Sequence, residues 1–402
     1  MKGFSAYRWV MLLLALVTAF TLHLLLFSYS MLIPSVKLEM DLSHAQAGLI
    51  FSASILTIVS LGLPWGVLAD RIGFAKTMKV AMLFIGLPGL YRGFASSYET
   101  LLLSQLLLGV GFAAILPCLP KLVYAWFRGK LGFSTGVYAM GFPLGEMTAL
   151  GLTPYLLTLN GAWRIAFQLF GVLGLTISAL WRILGKEPSA SGHEAFESGE
   201  RPKVSLRESL IAVSKVKITW ILVGLCISSM GIYDTLVTWL PYTLEIRGMQ
   251  PENAGLTTSM LPLGFLLAGP IIGALSDRLG SRKPFILIFG LIGGPIILSI
   301  ALVSGTSLWI MAFLTGFSVA GVLTLVLTIP AEHPRTSEHI GSSMGLISSL
   351  GNLGPLLMPV AVGHIIDISN STIYAMVMLA IIAETVFILG LLVKEDRATE
   401  ET

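Results

Sequence analysis

Long apolar runs separated by short polar segments follow one another along the whole chain. An α-helix that crosses the hydrocarbon core of a membrane needs about 20 mainly apolar residues, and each run has about that length. The runs are apolar at both odd and even positions, whereas the strands of a membrane β-barrel alternate in polarity, so strands are excluded. The pattern predicts an all-α membrane protein with twelve transmembrane helices, at residues 9–32, 45–68, 78–95, 101–120, 133–157, 163–184, 218–240, 255–275, 285–303, 308–329, 341–366 and 374–393.

The composition supports this interpretation and excludes other classes. Only 12% of the 402 residues are charged, and the mean hydropathy is +0.85, so a water-soluble fold could not cover its surface with polar groups. The first run continues to about Ile33, which is too long for a signal-peptide core. A net charge of +3 without a basic stripe argues against a nucleic-acid partner. The two cysteines lie in apolar runs, where a thiol behaves as a small hydrophobic group.

Lysine and arginine residues are distributed unevenly among the polar segments. Cytoplasmic loops of membrane proteins hold an excess of both residues. If the N-terminus lies inside, 21 of the 25 fall on the cytoplasmic side, and the remaining four are Lys37, Arg92, Arg164 and Arg247. The prediction is a multi-pass protein of the cytoplasmic (inner) membrane with both termini in the cytoplasm.

A polar stretch divides the chain into two halves. Residues 185–214 are rich in Ser, Gly, Pro and Glu, and they predict a solvated cytoplasmic linker between a six-helix bundle at residues 1–184 and another at residues 215–402. The halves repeat one another, since residues 34–73 match residues 241–280 without a gap, at an offset of 207. A second match relates residues 132–145 to residues 341–354 at an offset of 209. The two bundles are therefore expected to be pseudo-symmetric.

One motif occurs in both halves, at the ends of the second and eighth predicted spans. It reads Gly-Val-Leu-Ala-Asp-Arg-Ile-Gly at residues 66–73 and Gly-Ala-Leu-Ser-Asp-Arg-Leu-Gly at residues 273–280. A glycine allows a neighbouring helix to approach, an aspartate can face the positive end of a helix, and an arginine can bind carbonyls or carboxylates. We interpret the two copies as a cytoplasmic latch formed by Gly66, Asp70, Arg71, Gly73, Gly273, Asp277, Arg278, Gly280 and Arg282.

This duplicated motif resembles the loop signature of the major facilitator superfamily. The resemblance implies two six-helix bundles with a cavity at mid-membrane, lined by the first and seventh spans among others. The chain departs from the family pattern at Phe74 and Ala75, where basic residues are usual, and at Gln105, where an arginine is common. Residues 117–127 partly resemble the cyanate and nitrate porters of the same family.

Ionisable residues deep in a span are costly and are therefore candidates for function. The candidates are His23 on the first span, Glu146 on the fifth and Asp234 on the seventh. Structural explanations also stay open: His23 as a packing residue, Glu146 bonded to backbone freed by a proline, and Asp234 reaching water at the outer end. Aromatic and polar residues complete the set of substrate or proton candidates, namely Phe27, Gln105, Tyr138, Tyr233 and Asn352.

The fifth span is rich in small residues around one proline, with Gly136, Gly141, Pro143 and Gly145 in close succession. Such a helix bends and packs closely against its neighbours. The segment is similar to the glycine-proline motif of exporters in the superfamily. Tight packing at the interface between the halves is the alternative explanation, so the direction of transport stays open.

These features predict a secondary active transporter that moves a small organic solute by alternating access, with proton coupling as a hypothesis. The sequence lacks a nucleotide-binding loop, a metal-binding histidine pattern and a hydrolase elbow, so we expect no enzyme activity, no cofactor and no metal. The expected partners are a small-molecule substrate, H⁺ and the lipid bilayer, and the chain is expected to be a monomer. The alternative is a non-transporting solute sensor on a transporter scaffold. The charge of the substrate stays open.

Overall fold

The computed structural model describes residues 2–127, 130–160, 163–188 and 206–394, and these residues are helical apart from turns and short connections. The first part of the chain forms α1 (Lys2–Met40), α2 (His44–Ile72), α3 (Phe74–Tyr91), a 3-10 turn (Arg92–Phe94), α4 (Tyr98–Trp126), α5 (Leu131–Ala139), α6 (Gly141–Asn160) and α7 (Trp163–Leu184). The second part forms α8 (Leu206–Ser214), α9 (Lys217–Ile246), α10 (Pro251–Thr258), α11 (Met260–Leu279), α12 (Lys283–Leu302), α13 (Thr306–Glu332), α14 (Pro334–Ser337), α15 (Ile340–Gly351), α16 (Leu353–Ser369) and α17 (Thr372–Leu392).

The helices match the predicted membrane spans. Within the described residues, ten helical runs are long and apolar enough to cross a membrane. The shorter α3 and the interrupted α5–α6 pair occupy the positions of the third and fifth predicted spans. The twelve-helix, all-α architecture is thus confirmed.

Three predicted spans are each divided into two helices. The breaks fall at Met140, Ser259 and Asn352, and each of these residues keeps right-handed helical dihedral angles. Each break is therefore a local irregularity and not a loop. At the third break the backbone N–H and the side chain of Asn352 both donate to the backbone oxygen of Ser348, at 3.2 Å and 2.8 Å, which ties this residue to the preceding turn.

The predicted solvated linker is partly helical, which corrects the sequence interpretation. Helix α8 falls within it and packs against α15, and its residues Ser209 and Val213 are buried. The polar composition around this short helix concealed its apolar face. The rest of the predicted linker, residues 189–205, lies outside the described residues.

Close helix approaches recur at equivalent positions of the two halves. Gly109 on α4 lies against Ser54 on α2, and Gly316 on α13 lies against Leu261 on α11. Both members of the first pair are 207 positions before their counterparts, the same offset that relates the repeated motifs. An added Cβ at either glycine would overlap backbone of the opposing helix. The duplication therefore includes the van der Waals contacts that hold membrane helices together.

A second pair of approaches joins the first and fifth spans of each half. Gly145 on α6 lies against the carbonyl of Phe20 on α1, and Gly354 on α16 lies against the carbonyl of Ile227 on α9. Two small residues of the fifth span, Gly141 and Gly145, pack closely against the first span of the same half.

The described helices belong to two compact units. The first comprises Met1–Ala195 and Thr238–Ser259, and the second comprises Phe196–Val237 and Met260–Thr402. Segment Thr238–Ser259 thus packs with the first unit, where Gly255 lies against the carbonyl of Leu150 on α6. The predicted division into bundles at residues 1–184 and 215–402 stays a prediction.

Candidate functional site

A histidine and a glutamate from different helices meet inside the first unit. His23 Nδ1 on α1 lies 3.4 Å from Glu146 Oε2 on α6. The His23 side chain is 21% exposed, whereas the Glu146 side chain is only 2% exposed. Charging a carboxylate at such a depth requires a compensating partner, and the imidazole supplies one when it is protonated. The pair can therefore hold and release protons in a place that is partly open on the histidine side.

The close approach of α1 and α6 creates this pair. Gly145 rests on the backbone of Phe20, and Glu146 is the next residue along α6 while His23 is one turn beyond Phe20 on α1. Residues three apart lie on the same face of a helix. The glycine contact thus places the two ionisable side chains opposite each other.

Aromatic rings surround His23. Its ring centroid lies 4.8 Å from that of Phe142, 5.2 Å from that of Phe27 and 5.9 Å from that of Phe112. Tyr138 contacts Phe142 edge to face at 6.4 Å. The structure thus brings together four residues that the sequence predicted, namely His23, Phe27, Tyr138 and Glu146. Phe112 and Phe142 were missed, because many phenylalanines lie in apolar runs and only the fold separates these two from the rest.

Gln105 takes part in a different buried cluster. Its Oε1 accepts a hydrogen bond from Arg92 Nη1 at 3.2 Å, and the same nitrogen donates to the backbone oxygen of Leu25 at 2.8 Å. The Arg92 guanidinium also lies over the ring of Phe167, 4.4 Å from its centroid. A buried guanidinium therefore lies beside Gln105, although the arginine that supplies it is not part of the fourth span. Arg92 starts in the turn after α3, but its long side chain enters the bundle and is fully buried.

The remaining predicted site residues lie in the second unit. Tyr233 on α9 is buried, with its ring centroid 4.8 Å from that of Phe265, and the neighbouring Asp234 is half-buried. Asn352 is engaged at the helix break described above. The participation of these three residues in substrate binding stays a prediction.

The first copy of the repeated motif forms an ion pair with the fourth span. Lys121 Nζ lies 2.7 Å from Asp70 Oδ1 and donates to the backbone oxygen of Gly66 at 3.0 Å. Arg71, which the sequence nominated, is exposed. An exposed ion pair contributes at most about 1 kcal/mol to stability. The Lys121 contact therefore orients the end of α2 against α4 more than it stabilises the fold.

The last glycine of each motif has a conformational role that the sequence interpretation missed. Gly73 has φ +89° and Gly280 has φ +66°, values that favour glycine over other residues. At the first of these turns the Glu187 carboxylate accepts a hydrogen bond from the backbone N–H of Ala75 at 3.2 Å. An acidic group at the beginning of α3 is favourable because the N-terminal end of a helix is positive.

The second motif copy has a stronger ion-pair network. Arg282 Nη2 lies 2.5 Å from Asp277 Oδ1 and 2.6 Å from Glu332 Oε1, and Nη1 donates to Ser276 Oγ at 2.5 Å. Hydrogen bonding to Glu332, and then to Asp277, raises the pKa of the buried Arg282 guanidinium above its ordinary value, against the opposing effect of burial. Arg278 is exposed. The arginine that joins α11 to α13 is therefore Arg282.

Replacing Arg282 with glutamine is expected to destabilise the protein, whereas replacing Arg278 with glutamine is expected to have little effect on stability. Arg282→Gln removes charge-assisted hydrogen bonds whose combined contribution is about 1–3 kcal/mol, discounted because both carboxylates reach water. Arg278→Gln removes the same charge from an exposed position. The measurement is the apparent melting temperature of both purified variants. Equal melting temperatures would contradict the assignment of the contact to Arg282.

A polar contact lies at the opposite end of α2. His44 Nε2 at the beginning of the helix is 2.5 Å from Tyr242 Oη, and the His44 ring also contacts Trp239. Both aromatic residues belong to segment Thr238–Ser259 of the first unit. Asp70 is near the other end of the same helix, so α2 has polar connections to other helices at both ends.

Duplicated helix pairs, two ion-paired copies of one motif and a buried pair of ionisable side chains are features of a multi-pass membrane transporter. The sequence model of the Major Facilitator Superfamily matches residues 15–256 and 235–402. The chain belongs to this superfamily, as the motif resemblance indicated.

Two curated relatives are each 28% identical to the chain. One is a probable 4-methylmuconolactone transporter of Cupriavidus pinatubonensis, aligned over 80% of this chain and 78% of the relative. The other is a 3-(3-hydroxyphenyl)propionate transporter of Escherichia coli, aligned over 83% of this chain and 81% of the relative. A solved structure of a bacterial homologue of the human lysosomal transporter Spinster, inward-facing and unoccupied, has a TM-score of 0.76 at 19% identity and covers 96% of this chain and 95% of its own. That likeness concerns the fold alone.

Proposed function

We propose that this protein is a secondary transporter that moves a small organic carboxylate together with a proton, by alternating access. The observation that carries the proposal is the buried pair of His23 and Glu146 inside a ring of aromatic side chains. Aromatic faces suit the apolar part of an organic acid. The ionisable pair suits its charge and the proton that travels with it.

Charge balance explains why a proton would accompany the substrate. With one proton on the pair, His23 and Glu146 are neutral in sum, whether as imidazolium and carboxylate or as two uncharged groups. A second proton gives imidazolium and carboxylic acid, a net charge of +1 that attracts a carboxylate. The loaded site is then neutral again, which minimises the cost of carrying charge through a medium of low dielectric constant. One proton would move with each singly charged carboxylate.

The relatives support the choice of substrate class. One of them is named for 3-(3-hydroxyphenyl)propionate, which is a carboxylate that carries an aromatic ring. The other is named for 4-methylmuconolactone. A substrate with one carboxylate and an unsaturated or aromatic body fits the phenylalanine rings around His23. This narrows the sequence prediction, which left the substrate's charge open.

Alternating access requires that the connections at the two ends of the spans break and form in turn. The contact of His44 with Tyr242 joins the two sequence halves and would break when that end opens. The Asp70–Lys121 and Arg282–Glu332 pairs would each hold two helices of one half together at the cytoplasmic end. The lysine and arginine distribution supports an orientation in the cytoplasmic membrane with both termini inside. We expect the two sequence halves to rock against each other in a monomer.

A binding screen followed by a flux assay tests the proposal. Purified protein is heated with aromatic and aliphatic carboxylates, and with uncharged and cationic analogues of the same size. We expect an aromatic carboxylate to raise the melting temperature and then to show counterflow in proteoliposomes. Stabilisation by cations alone would contradict the substrate class. Binding without counterflow would instead identify a sensor on a transporter scaffold.

A further inference from the structure

A cavity of about 380 Å³ lies within the second unit, where three membrane spans end. Helix α9 begins there at Lys217, α13 has just ended at Glu332, and α17 ends at Leu392. The cavity is separate from the residues around His23 and Glu146, which belong to the first unit. The proposed transport function makes no use of it.

The polar side chains that line this cavity are basic or imidazole groups. They are Lys217, Arg335 and Lys394, together with His333, and none of the residues lining the cavity is acidic. The three cationic side chains are exposed, and they form no ion pair among the described residues. Nδ1 of His333 is shielded from solvent and has no hydrogen-bond partner in the described part of the chain. Three positive charges in one concave site, with no ion-pair partner among the described residues, attract an anion.

The depth of the cavity indicates which anion. Lys217 and Leu392 are terminal residues of membrane spans, so the cavity lies at the level of the lipid headgroups. Trp220, one turn into α9, is 52% exposed, and tryptophan is enriched at this interface in membrane proteins. The other walls of the cavity include Ile218 and Ile221. Apolar side chains below a ring of cations match a phosphate headgroup above its acyl chains.

The end of α17 is held in place for this role. Lys283 Nζ donates to the backbone oxygens of Leu391 and Val393, at 2.8 Å and 2.9 Å. The ammonium group of Lys283 is therefore engaged by the end of α17, whereas Lys394, the residue after Val393, lines the cavity. A fixed helix end keeps Lys394 beside the other cations at little further entropic cost.

We propose that this cavity binds the phosphate headgroup of an anionic membrane phospholipid. Lys217, Arg335 and Lys394 would hold the phosphate oxygens, and His333 would add a hydrogen bond. The alternative occupant is the segment of residues 395–402, which is acidic and directly follows Lys394. They offer a single alanine and no larger apolar side chain for the isoleucine walls, which favours a lipid as the occupant.

Lipid-dependent stability tests the proposal. Full-length protein is purified in detergent, and its melting temperature is measured with added phosphatidylcholine, phosphatidylglycerol, cardiolipin or inorganic phosphate. We expect the two anionic lipids to raise the melting temperature by several degrees over phosphatidylcholine. The triple variant Lys217→Gln, Arg335→Gln, Lys394→Gln should lose more than half of that gain, and native mass spectrometry should show fewer retained anionic lipids. If the triple variant does not fold, the single variant Lys394→Gln, at an exposed position, replaces it in the same measurement.

The matched control removes three exposed cations from the first unit, with Lys76→Gln, Lys130→Gln and Arg182→Gln. It should keep the full response to anionic lipid. Equal responses of the cavity variant and this control would overturn the site. A full gain with inorganic phosphate alone would overturn the lipid assignment. A gain that appears only after the chain is shortened to Lys394 would show that the acidic tail is the occupant, which also overturns it.

Discussion

Replacing Glu146 with glutamine is expected to abolish uptake driven by a pH gradient and to spare counterflow of substrate at equal pH. Glutamine has nearly the shape of glutamate but cannot take up or release the proton that accompanies the carboxylate. Accumulation in proteoliposomes should fall at least about tenfold, since the loss of one charge-assisted interaction of about 1.5 kcal/mol already corresponds to that factor. Counterflow should persist, because a permanently uncharged side chain at position 146 imitates the protonated acid.

Glu384 provides the control for this experiment. It is another carboxylate within a membrane span, on α17, and its side chain lies against Gly294 of α12 in the second unit. Glu384→Gln removes the same ionisable group from a place outside the proposed site, so gradient-driven uptake should continue. If both variants accumulate substrate as the unchanged protein does, Glu146 has no part in proton coupling.

The second large effect is expected from Gly145→Ala, which should destabilise the protein and reduce transport together. An added Cβ would overlap the carbonyl oxygen of Phe20, and backbone can move away only if α6 shifts from α1. Overpacking of this kind costs about 1–3 kcal/mol. The shift would also separate Glu146 from His23. We expect a lower melting temperature and a loss of gradient-driven uptake.

Gly136→Ala is the matched control for that variant. Gly136 lies in the α5 part of the same span, and an added Cβ there meets no atom within 4 Å. Alanine also favours the helix by about 1 kcal/mol over glycine. A normal melting temperature and normal uptake are expected for this variant. A similar loss in both variants would mean that glycine flexibility along the span matters, and not the contact with Phe20.

The sequence was sufficient for the architecture because lipid imposes a simple rule on it. A span must be a helix of about 20 apolar residues, so twelve runs predict twelve helices. The breaks at Met140, Ser259 and Asn352 were not predicted, since the residues there keep helical angles and stay within apolar runs. The repeat predicted symmetry but not its contacts. Gly109 and Gly316 are related by the offset of 207 between the halves. Only the folded chain, however, shows which backbone each glycine contacts.

The candidate site was predicted as residue types but not as partners. Burying an ionisable group is costly, which identified His23 and Glu146, and their pairing depends on the packing of α1 on α6. Arg92 was counted on the outer side from its place near the end of the third predicted span, while in the structure its side chain extends into the bundle. Arg71, Arg278 and Arg282 were all named from the motif. In the structure Arg282 forms the ion pair of the second copy, and Lys121 of the fourth span, which lies outside the motif, forms that of the first copy.

Simultaneous recording of proton and substrate movement in lightly buffered proteoliposomes tests the coupling through His23 and Glu146 most directly. An inward gradient of an aromatic carboxylate is applied at equal starting pH, with a pH-sensitive dye trapped inside the vesicles. We predict acidification of the interior at one proton per carboxylate, which disappears in the Glu146→Gln variant while exchange of substrate continues. Substrate entry without acidification, or acidification that survives in that variant, would contradict the proposal.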